Sequence, residues 1–127
     1  MKKLVIILTL LALIFIVGFY FAIFQRGGVS SRDTTAVWDV TTNFFQACSA
    51  GDWPKARSYC HYVDDINKTM PLDGLQIINI GKPFKRFWYP GIFVPFKIVL
   101  KNGETRKFNL AIRNDNPKKE WLVDGGL

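Results

Sequence analysis

The side chains best suited to acid–base chemistry crowd into one short stretch, where His61, Asp64 and Asp65 lie beside the hydroxyls of Tyr59 and Tyr62. An imidazole or carboxylate next to a hydroxyl donor can exchange protons with a substrate once both are held in a shaped, dry site. Here the groups cluster at the end of a helical pattern, where charged residues ordinarily face solvent.

The second chemically capable pair is Cys48 and Cys60, one on each of two successive apolar stripes. A disulfide needs Cα atoms within about 7 Å. Cys48 stands close to the turn between the helices and Cys60 some two turns beyond it, so a simple helical hairpin separates them, and two buried free thiols fit as well as a bridge. One His and two Cys without C-x-x-C spacing fall short of the usual tetrahedral ligand sets, so no metal is expected. Nor is any other cofactor. The glycine pairs at 27–28 and 125–126 lack the strand-to-helix context that phosphate binding requires.

The elements that must position these residues follow a membrane anchor. Leu4 to Phe24 is an unbroken apolar run of 21 residues with Thr9 and Tyr20 as its hydrogen-bonding side chains. At about 1.5 Å per residue it crosses a hydrocarbon layer of about 30 Å. A signal peptide is the competing reading, because Met1-Lys2-Lys3 resembles a charged n-region. The run is too long for one, and it ends in Phe21-Ala22-Ile23-Phe24 without a small-residue cleavage site or a cysteine for lipid attachment. The basic N-terminus favours the cytoplasm, which leaves the rest of the chain outside it, at a plasma membrane of bacterial type.

Residues 25–33 hold two adjacent glycines and two serines, the composition of a flexible tether. Residues 34–127 form one domain. From Asp33 or Thr34, Val37, Val40, Phe44 and Cys48 recur at helical spacing, and Gly51 ends the helix. Asp52 and Pro54 open a second helix carrying Ala56, Tyr59, Cys60 and Val63. The stretch from Asp64 to Gly74 reads as a loop with room for one further helical turn. The period then shifts toward two. Leu75 to Ile80 is a strand with a possible extension to Trp88, Ile92 to Lys101 a second, Arg106 to Arg113 a third with Phe108, Leu110 and Ile112 on one face, and Glu120 to Asp124 a fourth. Asn102-Gly103 is the strongest hairpin signal. Pro83 and Pro95 belong at edges or bulges. The class is α+β: two or three helices packed on a curved antiparallel sheet of about four strands.

The net charge is +7, and without Lys2 and Lys3 there remain 15 basic and 10 acidic residues, a balance of +5. Beside a bilayer the anionic neighbour is the headgroup layer. The basic residues are dispersed and bring no nucleic-acid motif, so nucleic acid is not an expected partner. Phe84, Phe87, Trp88, Tyr89, Phe93 and Phe96, interleaved with Lys85, Arg86 and Lys97, read as sheet core or as an aromatic patch facing membrane or partner. Asn67-Lys68-Thr69 matches a glycosylation sequon.

Phe44-Phe45, Gly51-Asp52, Ala56 and the closing Trp121-Leu122-Val123-Asp124-Gly125, in that order, resemble the nuclear transport factor 2-like superfamily, the cone-shaped α+β fold shared with ketosteroid isomerases. The resemblance covers about 34–125. It implies a cone able to hold a small ligand, with Tyr59, Tyr62, Phe96 and Trp121 as ligand contacts, and a sheet face able to pair two copies. An enzyme of this kind takes its base from His61, Asp64 or Asp65, as in a small isomerase or dehydratase. A non-enzymatic, membrane-tethered module that binds a protein partner or ligand is the preferred expectation.

Overall fold

The computed structural model describes residues 1–127, apart from the side chain of Phe24. Helix α1, Lys2–Phe24, is exposed from its start through Ala22 and meets the rest of the chain at its last turn. It is apolar on all sides; over Lys2–Ile23 the mean hydropathy is 3.0 and no residue is buried, and this span is long and apolar enough to cross a membrane. Its one threonine is satisfied internally, since the Thr9 hydroxyl donates to the carbonyl of Val5 at 2.9 Å.

Helix α2, Ser31–Ser49, begins before the expected start because Ser30 caps it, accepting from the amide of Asp33 at 3.2 Å. It ends in a Schellman arrangement: Gly51 takes φ +69°, its amide bonds to Cys48, and the amide of Asp52 bonds to Ala47. Asp52 then caps helix α3, Trp53–Tyr59. The expected continuation to Val63 does not occur. Cys60 is extended, His61 and Tyr62 turn the chain, and helix α4 occupies Val63–Thr69 where mostly loop was expected. Cys60 and Val63 are both fully buried on either side of the break, and Asp64 and Asp65 occupy the first turn of the new helix, where the dipole favours them.

Four antiparallel strands follow as a meander in the order β1-β2-β3-β4: β1 Gln76–Ile80, β2 Ile92–Val99, β3 Thr105–Arg113 and β4 Leu122–Gly125. The β2–β3 connection is a tight hairpin. Gly103 takes φ +89°, its amide bonds to Leu100, and the amide of Leu100 bonds to Glu104. β1 does not run on to Trp88. After the Gly81 amide meets the Pro95 carbonyl, pairing resumes only at Phe84 and Phe93, so Lys82 and Pro83 bulge opposite Val94. The missing amide hydrogen of Pro95 faces the end of β1, and Pro83 sits in the bulge.

Helix α2 lies over β1 and β2, and α3 beside β4. Between the layers, Val37, Phe44, Phe45, Cys48, Ile98, Leu110 and Ile112 are fully buried, and the Phe45 ring stacks at 5.1 Å from Phe96. Phe108 departs from the expectation. It shares the face of Leu110 and Ile112 and pairs across from buried Phe96, yet it is 64 % exposed because the helical layer stops short of it.

Residues 25–33 are not a free tether. Gly27 and Lys85 exchange both backbone hydrogen bonds, at 2.7 and 3.0 Å, and α2 begins at Ser31. Phe45→Ala should destabilise the domain by about 3–5 kcal/mol, the range for an emptied aromatic core site, whereas Phe108→Ala should cost less than about 1 kcal/mol. Denaturant unfolding of the detergent-solubilised chain checks the difference.

Candidate functional site

The cluster expected around His61 divides in the fold. Asp64 receives two hydrogen bonds from Arg57, at 2.7 and 2.9 Å, and Asp65 pairs with Lys68 at 3.3 Å. Both pairs are exposed. The Arg57 hydrogen bonds hold the Asp64 carboxyl below its usual range, the opposite of the raised value that a general base working in a dry site carries. Neither aspartate lines a groove with His61.

His61 and Tyr62 instead meet the far end of the sheet. With Arg113, Asp115, Leu122 and Asp124 they line an open groove of about 270 Å³. Its polar wall is a linked set of charges. Tyr89 Oη donates to Asp124 Oδ2 at 3.0 Å, Arg113 Nη1 lies 3.7 Å from the same oxygen, and Arg113 binds Asp115 through Nε at 2.7 Å and through Nη2. These bonds lower the Asp115 carboxyl to about 2. Burial, followed by the hydrogen bond to Asp124, raises the Tyr89 hydroxyl above its usual value. The groove is therefore walled by carboxylates already committed to Arg113. The Tyr62 hydroxyl beside it is buried without a hydrogen-bond partner of good geometry, and burial together with the nearby Cys60 thiol raises its pKa.

The remaining expected ligand contacts do not converge. Tyr59 and Trp121 are partly buried against the core. Phe96 is buried, and its edge lines a second open groove of about 280 Å³ with Met70, Arg106, Lys107, Phe108 and Leu127. Residues from α2, β2 and β3 fill the space between the layers that a ligand cone would use. Sequence reasoning missed Tyr89, Arg113, Asp115 and Asp124. The signal available was the closeness of Arg113 to Asp115 across Asn114, but nothing in the spacing joins them to Tyr89 or His61. Among the described residues no group of three or more His, Cys, Asp or Glu side chains could hold a metal ion.

Cys48 and Cys60 are both free and buried, not bridged. Burial pushes the Cys48 thiol up to about 12, with the Cys60 thiol adding to the shift, and burial pushes Cys60 up to about 11. Both thiols lie in the same core, near enough for Cys60 to add to the shift at Cys48.

No protein-family model matches the chain, and no curated protein or solved structure matches it.

Neutral buried thiols are poor nucleophiles, so a thiol-reactive disulfide reagent at pH 8 should leave both cysteines of the folded chain unmodified and titrate both in denaturant. The pH dependence has a definite sign. Unfolded thiols lose their protons near 9.0 while the folded ones keep theirs to about 11 and 12, so stability is full below pH 9 and falls as the pH rises through that window. Cys48→Ala/Cys60→Ala should flatten this alkaline slope, as measured by unfolding between pH 8 and 11.

Proposed function

We propose that the chain is a non-enzymatic, membrane-tethered interaction module whose α+β domain lies outside the cytoplasm, at a plasma membrane of bacterial type. A protein partner or an apolar ligand is held at the groove beside Phe108. The observation that carries the reading is Phe108 itself, an aromatic ring 64 % exposed on the helix-facing side of the sheet, next to Met70 and Leu127. An exposed apolar surface rimmed by charge, here Arg106 and Lys107, is the usual form of a binding site.

The apolar α1 supports the tether, and Lys2 and Lys3 before it support the orientation. The order of helices followed by an antiparallel meander supports the likeness to the nuclear transport factor 2-like superfamily. The filled interlayer space and the ion-paired Asp64 and Asp65 count against the catalytic use of that fold. The alternative, a small isomerase- or dehydratase-like enzyme, is favoured by one observation, the unpartnered Tyr62 hydroxyl beside His61.

Two measurements test the module. Fusion of a phosphatase active only outside the cytoplasm to Leu127 should give activity, and fusion of a fluorescent protein that matures only inside should stay dark; the reverse pattern overturns the orientation. A photo-crosslinking phenylalanine at position 108 should yield a discrete adduct in living cells, whereas one at the remote Lys118 should not. Equal labelling at both positions, or none at 108, removes the groove as a binding site. A self-adduct at 108 identifies the partner as a second copy of the chain.

A further inference from the structure

The end of α1 and the loop after β1 are built into one unit. A helix leaves its last carbonyls without partners inside the helix, and such a group is costly at membrane depth. Trp88 supplies a partner to one of them, its Nε1 donating to the carbonyl of Ile23 at 3.1 Å. Four residues on, the Gly27–Lys85 bridge joins the chain leaving α1 to the same loop, and the Arg26 guanidinium lies 4.2 Å from the centre of the Phe84 ring. These contacts fix the loop 84–90 at the level of the last turn of α1. If α1 spans the bilayer, that level is the boundary between headgroups and acyl chains.

The loop has the chemistry of that boundary. Phe87 is 69 % and Trp88 52 % exposed. They are mounted on a firm aromatic base, because Phe93 stacks on buried Phe84 at 5.5 Å, on Tyr89 at 4.7 Å and on Trp88 at 5.7 Å. Lys82, Lys85 and Arg86 are their near neighbours in sequence, and Arg26 stands on the chain leaving the helix. The charge is one-sided: residues 74–103 contain five Lys or Arg and no Asp or Glu, and no acidic residue precedes Asp33. A groove of about 500 Å³ lined by Arg26, Asn79, Lys97 and Lys107 continues the basic surface onto the sheet. Indole rings with basic neighbours gather at membrane interfaces, where the ring sits among headgroups and the cations meet anionic lipid.

We infer that the loop 84–90 is a lipid-docking element. Phe87 and Trp88 enter the bilayer interface beside the outer end of α1, Arg26, Lys82, Lys85 and Arg86 bind anionic phospholipid headgroups, and the domain is thereby held on the membrane in one orientation. This rests on the membrane-tethered reading of α1, and the experiment separates the two. The full chain is placed in phosphatidylcholine nanodiscs with and without phosphatidylglycerol. An environment-sensitive fluorophore is attached to Phe87→Cys, Leu13→Cys or Lys118→Cys, the buried native thiols being unreactive, and spin-labelled lipids serve as quenchers.

The label at 13 should be quenched from the bilayer centre, the label at 87 from the headgroup boundary, and the label at 118 not at all. Adding Lys85→Gln/Arg86→Gln to the label at 87 should reduce its quenching in anionic discs and leave it unchanged in neutral ones. Quenching at 13 with water-like emission at 87 overturns the docking while α1 stays anchored. No quenching at 13 overturns the anchor and the docking with it. Quenching at 87 that is indifferent to both lipid charge and the double substitution overturns the headgroup contacts. Brominated lipid provides a label-free check: it should quench the intrinsic tryptophan emission of the full chain, and Trp88→Phe should remove most of that quenching.

Discussion

The contact between Phe45 and Phe96 is where the domain becomes one body. Phe45 projects from α2 and Phe96 from β2, and their rings meet at 5.1 Å with Phe44 tilted against Phe45 at 5.5 Å. Aromatic pairs of this size contribute both area and geometry, so they set how far apart the helical and sheet layers stand. At that separation the aliphatic residues of β2 and β3 fill the remaining space. The grooves that can take a ligand or partner lie at the rims of the sheet.

The two rims differ in kind. At the end of the sheet nearest His61, polar groups satisfy one another: Arg113 is shared between Asp115 and Asp124, and Tyr89 closes the set. Such a network orders the surface and offers little unspent hydrogen-bonding capacity apart from the Tyr62 hydroxyl. At the opposite rim Phe108 is left without a covering layer, and an uncovered apolar ring offers more to a partner than a satisfied ion pair does.

The end facing α1 depends on the two prolines. Pro95 cannot donate to the sheet, and Pro83 lies in the bulge opposite Val94, so β1 stops at Ile80 and regular pairing is interrupted before the loop. The loop then carries Trp88 back to the last turn of α1. Trp38 steadies the exit, its indole donating to the carbonyl of Gly81 at 2.8 Å. A segment with the composition of a flexible linker thereby becomes a bonded junction, because backbone groups of Gly27 find partners on Lys85.

What the sequence determined by itself was local. The length and uniformity of α1, the Asp52 cap and Gly51 stop between α2 and α3, the hairpin at Asn102-Gly103 and the bulge at Pro83 each follow from chain stereochemistry within a few residues. Even the period-two alternation placed Phe108 on the correct face. Only tertiary structure decided whether that face was covered, since periodicity reports orientation and not the reach of the opposing layer. It also decided that the helix carrying Cys60 would break, with Cys60 extended and a new helix starting at Val63, since helical periodicity reports a shared face and not where one helix stops and the next begins. The dispersal of His61, Asp64 and Asp65 was decided in part the same way. Asp64 and Asp65 found partners within a turn or two of their own position, Arg57 and Lys68, while His61 came to lie in a groove with Arg113 and Asp124 from the far end of the chain; only the local pairings could have been read from spacing.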